Sequence, residues 1–122
     1  MKTEIWVNFN YGAWHLSFSK TFIFPFTPFV GMFLLDKEGD YENQIELANN
    51  DYRRTMIFYY VKEDKFIVDI NEHWKRPVSD ECIDNTIEIF KNTKWKREDD
   101  TNVSELKELM KRDYEKTKKT VS

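Results

Sequence analysis

Between residues 13 and 29 the chain reads AWHLSFSKTFIFPFTPF, in which Trp14, Leu16, Phe18, Phe22, Phe24 and Phe26 share one parity and Lys20 is the single interruption. A period of two marks β-structure with one face in a core. The row therefore commits the chain to a sheet with an aromatic inner face, as one long bent strand or as two with a bend at Ser19-Lys20-Thr21. Pro25 and Pro28 donate no ladder hydrogen bond, so that end belongs at an edge, a bulge or a corner. Two functional readings compete for the same residues. A stacking platform for single-stranded nucleic acid needs exposed aromatics beside a basic groove, and Lys20 is the only cation in the row. Pro25-Phe26-Thr27-Pro28 has PxxP spacing, but its large apolar flanks favour burial over a solvated ligand helix. The core reading is preferred.

Three hairpins test that reading by parity, because a one-residue slip would turn every side chain to the wrong face. Ile5, Val7 and Phe9 alternate with Trp6, Asn8 and Asn10. A Tyr11-Gly12 loop sets Phe9 opposite Trp14 and Val7 opposite Leu16. Phe29, Gly31, Phe33 and Leu35 precede DKEGD, where a three-residue loop with Gly39 left-handed sets Leu35 opposite Tyr41 and Gly31 opposite Ile45. Residues 55 to 61 and 66 to 74 flank KEDK, which pairs Val61 with Phe66, Tyr59 with Val68 and Ile57 with Ile70.

After Pro77 the period changes to that of a helix. Ser79 is an N-cap, Asp80 and Glu81 suit the positive end, and Val78 staples to Ile83, giving a helix over about 80 to 92 that buries Ile83, Ile87 and Phe90. A second helix over about 103 to 118 starts from Asn102 with Glu105 as its capping partner. It places Val103, Leu106, Met110 and Tyr114 on one face, and its basic end, Lys118-Lys119-Thr120, meets the negative pole and frays. The expected fold is α+β: an antiparallel, largely meandering sheet of six or seven strands over about 4 to 74, then two C-terminal helices packed on its aromatic face. With 122 residues, no repeat and no linker, the chain is one domain spanning 1 to 122. An aromatic share of 16% within a hydrophobic 40% means that few, large side chains fill its core.

The face opposite the aromatic row is where function is expected. It carries Trp6, Asn8, His15, Ser17, Glu42, Gln44, Glu46, Asp69 and Asn71, and Met56, Phe58, Tyr60 and Ile67 share its parity. Hairpin arithmetic sets Asn8 across from His15 and Trp6 across from Ser17, an aromatic anchor beside polar groups. Trp6, Asn8, His15, Ser17, Tyr60, Asp69 and Asn71 are the candidate binding residues. They point to a non-catalytic domain acting through protein contacts with a partner or a second copy of itself.

Other chemistry is poorly served. His15 and His73 are the only histidines and lack a second ligand at zinc spacing. DINEHW turns Glu72 away from Asp69 and His73, and DKEGDYE has its glycine misplaced for an EF-hand loop. Glu63-Asp64-Lys65 has the short acid-x-lysine form of a metal-dependent nuclease but falls at a hairpin tip. Cys82 sits near a helix N-terminus, where Asp80 and Glu81 oppose a lowered pKa. No phosphate-binding glycine loop and no G-x-S-x-G is present, so no catalytic residue, metal or cofactor is assigned.

A net charge of −3 gives no global attraction to nucleic acid or anionic membranes. A nucleic-acid binder using the aromatics and the basic last helix, and a small metal-dependent hydrolase built on Asp69 and His73, remain the rival classes. The acidic run from Asp36 to Asp51 could meet a basic partner. Asn102-Val103-Ser104 has the glycosylation pattern but reads as a helix start. One cysteine, no apolar leader and no membrane-length segment lead to the expectation of a cytoplasmic protein without membrane contact.

Overall fold

The computed structural model of the chain describes residues 1–121, with side chains through residue 118. Seven strands and two helices follow one another as β1 (Lys2–Tyr11), β2 (Trp14–Ile23), β3 (Phe33–Glu38), β4 (Tyr41–Glu46), β5 (Arg53–Tyr60), β6 (Lys65–His73), α1 (Asp80–Asn92), β7 (Lys96–Arg97) and α2 (Val103–Val121). The class is α+β with both helices C-terminal, but the strands divide into two sheets. One has the order β5-β6-β1-β2-β7 and the other is the β3-β4 hairpin.

The larger sheet is mixed, which corrects the antiparallel expectation. β6 runs parallel to β1, with Ile5 beside Val68 and Val7 beside Ile70. Parallel neighbours need a long connection, here everything between β1 and β6, so the chain cannot meander. The β3-β4 hairpin leaves the sheet within that connection.

Hairpin registers also differ from those expected. β1 and β2 pair Tyr11 with Trp14, Phe9 with Leu16 and Val7 with Phe18 around Gly12-Ala13, two positions from the sequence reading. Gly12 takes φ +56, a conformation glycine adopts without Cβ strain. β5 and β6 pair Tyr59 with Phe66 and Ile57 with Val68, again displaced by two. An even displacement preserves the faces. β3 and β4 are displaced by three, pairing Leu34 with Ile45 and Leu35 with Gln44 around Gly39-Asp40. The odd slip turns Phe33 and Leu35 outward, where they are 53% and 57% exposed.

The aromatic row does face inward, as expected. Leu16 and Phe18 are buried with Ile5, Val7, Phe9, Val68 and Ile70. The Phe90 ring of α1 stacks on Phe18 at 4.4 Å and meets Phe9 edge-on at 5.7 Å. Ile45 of the hairpin, Leu47 just after it, Ile83 of α1, Trp95, and Leu106 and Met110 of α2 belong to the same core. The row then leaves the core through a stack of Phe22, Phe24 and Phe26 whose last ring is 43% exposed. The Ser79 hydroxyl caps α1 by accepting from the Cys82 N–H at 3.1 Å, and Asn102 caps α2 by accepting from the Glu105 N–H at 3.1 Å. Of the basic end of α2, the side chains of Lys119 and Thr120 lie outside the described residues.

Candidate functional site: the open face of the five-stranded sheet

Alternation sends the even residues of β1, the odd residues of β2 and β6, and the even residues of β5 to the face opposite the helices. The pairings set Met56, Asp69, Trp6 and Ser19 in one row across the sheet, with Arg54, Asn71, Asn8 and Ser17 in the next. Beyond Met56 on β5, Phe58 pairs with Ile67 and Tyr60 with Lys65. Met56 is 55%, Phe58 42% and Tyr60 50% exposed. These large side chains alternate along one strand and stay exposed among the described residues.

The middle of the face is a polar ladder. The Asn8 amide donates to Asp69 Oδ1 at 2.8 Å, Asn71 donates to Asp69 Oδ2 at 3.3 Å, and Asn10 donates to Asn71 Oδ1 at 3.2 Å. The Trp6 indole N–H donates to Glu4 at 3.0 Å, fixing the ring beside this ladder. Lys65 closes the Tyr60 end, 3.1 Å from Glu4 and 2.9 Å from Glu63, with its Nζ 6.0 Å from the Tyr60 ring centroid. Hydrogen bonds to Glu63 and then Glu4 hold the Lys65 ammonium above its ordinary pKa, and Lys65 holds Glu63 below its own. The lysine is thus neutralised locally and offers little to a phosphate.

Six of the seven candidate residues lie exposed or partly exposed on this face, and one does not. Trp6, Asn8, Asp69 and Asn71 come together, and Tyr60 stands at one end. His15 is exposed at the opposite end, paired with Asn10 and not with Asn8. Ser17 is only 6% exposed because residues 97 to 101 fold along β2. Its N–H donates to Asp99 Oδ1 at 2.9 Å, its carbonyl accepts from Glu98 N–H at 2.8 Å, and it faces Asn8 in place of Trp6. Burial pushes the Asp99 carboxyl up, but Arg97 and the N–H groups of Ser17 and Thr101 more than offset that and hold it below its ordinary value. β7, which anchors this strap, is two residues long and leaves no periodic signal.

Glu42, Gln44 and Glu46 are not on the open face. All three belong to the separate hairpin, where Gln44 and Glu46 border a polar groove of about 440 Å³ with Arg53 and Glu72. Glu63-Asp64-Lys65 is a charged turn in which the Tyr59 hydroxyl donates to Asp64. Among the described residues no three His, Cys, Asp or Glu side chains are placed to share a metal ion. Burial raises the Cys82 thiol above its ordinary pKa, the reverse of an activated nucleophile. No described helix is long and apolar enough to cross a membrane.

No family model, curated protein or solved structure matches this chain.

Proposed function

We propose that this chain is a non-catalytic binding domain that acts through protein contacts on the open face of its five-stranded sheet. One observation carries the reading. Met56, Phe58 and Tyr60 alternate exposed along β5, with Ile67 and Trp6 beside them, on the face that the helices leave uncovered. Contiguous exposed aromatic and sulfur-bearing side chains next to satisfied polar groups have the composition of a contact patch. The amide ladder supports it, since fixed amides and a carboxylate give orientation to an apolar contact. A reducing, cytoplasmic setting fits the lone, non-activated Cys82.

The rival classes find less support. A nucleic-acid partner needs a run of free cations, and on this face Lys65 is held by two carboxylates and Lys96 by Glu98, which leaves Lys2 and Arg54. A metal-dependent hydrolase needs convergent ligands, and Asp69 is committed to Asn8 and Asn71.

Affinity capture from an extract of the native host tests the reading, using the parent chain and a Met56→Ser, Phe58→Ser double variant of matched thermal stability. A protein held by the parent and released by the variant is the expected result. Equal capture by both removes the face from the binding role, and salt-sensitive retention of a labelled single strand would favour the nucleic-acid class.

A further inference from the structure

β5 is the outermost strand of its sheet, and its outer edge is unevenly protected. The Arg53 N–H donates to Asn50 Oδ1 at 2.8 Å and the Thr55 N–H to Asn49 Oδ1 at 2.7 Å, while the Thr55 hydroxyl reaches the Ala48 carbonyl. On the inner side, the Tyr52 carbonyl accepts from the His73 N–H. In an antiparallel pair the ladder alternates, so even residues of β5 bond β6 and odd residues direct N–H and C=O outward. Asn49 and Asn50 satisfy that outward set as far as the Thr55 N–H. Ile57 and Tyr59 have no such cover among the described residues. They sit on a strand segment, Met56 to Tyr60, with no proline, no charge and no bulge, which are the devices that normally blunt an edge.

We propose that this half-edge pairs with the same segment of a second copy, antiparallel about a two-fold axis through Phe58. This pairing rests on reading β5 as the contact side of the open face. The geometry of the strand selects that axis. Outer-face residues stay together only when the axis passes through a residue, because a half-step would turn one copy over. An axis through Ile57 would draw the Thr55 N–H into the ladder, where Asn49 already occupies it, and one through Tyr59 would set Ile57 against the partner's Val61, which is in the turn and accepts from the Asp64 N–H. Centred on Phe58, Ile57 exchanges both hydrogen bonds with the partner's Tyr59, and Tyr59 with the partner's Ile57. Phe58 then meets the partner's Phe58, and Met56 meets the partner's Tyr60, so each exposed apolar side chain of the strand gains a cross-strand neighbour. Beyond the paired segment the partner's residues 61 to 64 turn away into its β6 and leave Arg53 and Arg54 outside the contact. An isologous contact of this kind closes at two copies and joins the two open faces into one.

Sedimentation equilibrium over the micromolar range on the parent, Tyr59→Pro and Tyr59→Ala tests the pairing. Proline at 59 removes an outward N–H and leaves the β5-β6 ladder intact, which an edge strand tolerates. Alanine removes the ring and keeps the N–H. The expected result is a dimer for the parent and for Tyr59→Ala, and association weaker by at least about thirtyfold for Tyr59→Pro, which loses two of the four interchain bonds. A second measurement stands if Tyr59→Pro unfolds. In a Cys82→Ser background, Phe58→Cys should form a disulfide-linked dimer with oxidised glutathione, and Met56→Cys should not, because only position 58 lies on the axis. A parent that stays monomeric, or a dimer that survives Tyr59→Pro and does not cross-link at 58, overturns the pairing. Either outcome leaves the face reading to be decided by the Met56→Ser, Phe58→Ser capture.

Discussion

The Lys20 ammonium lies 2.9 Å from the Asp36 carboxylate, and this contact turns the one charged residue of the aromatic row into a clamp between β2 and β3. Lys20 points to the core side, opposite Ile5, where it also reaches Glu38 at 3.3 Å and the Thr93 carbonyl at 2.7 Å. The Trp95 indole donates to the same Asp36 at 2.8 Å, and Asn43 reaches the Thr93 hydroxyl at 3.4 Å. Strand, hairpin and the end of α1 are thus tied at one buried polar node. Lys20, then Lys94, holds the Glu38 carboxyl below its ordinary pKa.

Lys20→Met should cost about 3 kcal/mol, because it leaves Asp36 in the interior without its cation. Urea denaturation of the variant checks this. The loss should exceed that of Lys37→Met, whose ion pair with Glu42 is 3.9 Å long and exposed and is worth about 0.5 kcal/mol.

Leu16→Ala should destabilise by about 2 to 5 kcal/mol, since Leu16 is fully buried under the helices. Ser17→Ala should change stability by less than about 0.5 kcal/mol, because Ser17 is held through its backbone N–H and carbonyl. Thermal or urea melts separate the two. A Leu16 variant as stable as the parent would mean that the aromatic row is not the core face.

The faces of the sheet were legible in the sequence because period-two alternation survives any even error of register. Phe9 meets Leu16 and not Trp14, yet both are inward. Alternation could not detect the odd slip in the β3-β4 hairpin, where a two-residue loop at Gly39-Asp40 replaced the expected three and sent Phe33 and Leu35 outward. Local signals also carry no information on which distant strand lies beside β1, so the parallel pairing with β6 was invisible. At the candidate site, the union of Asn8, Asp69 and Asn71 comes from that pairing. The burial of Ser17 comes from a strap with no periodicity of its own. The helices were placed well, since Ser79 and Asn102 cap them with local side chains.

Stability should fall at both extremes of pH for separate reasons. Burial, and then the hydrogen bond to Asp113, push the Tyr11 hydroxyl up to about 12. Its contribution is complete below the ordinary tyrosine value near about 10 and is lost as pH rises through the folded value. Absorbance titration should show a late phenol that disappears in Tyr11→Phe, distinct from Tyr59, which the hydrogen bond to Asp64 also holds above its ordinary value. Asp99, with its lowered pKa, contributes above the ordinary carboxylate value near about 4, and that contribution is lost as pH falls through the folded value. Asp99→Asn should flatten the acid limb of a stability profile and leave the alkaline limb unchanged.

Amide hydrogen exchange tests the central claim most directly, measured on the chain alone, at rising concentration, and with any captured partner. Protection should appear in the peptides spanning residues 53 to 60 and 65 to 71, with α1 and α2 unchanged. Unaltered exchange there, with protection instead over the exposed Phe26, Phe29, Phe33 and Leu35 surface or over the helices, would contradict binding through the open face.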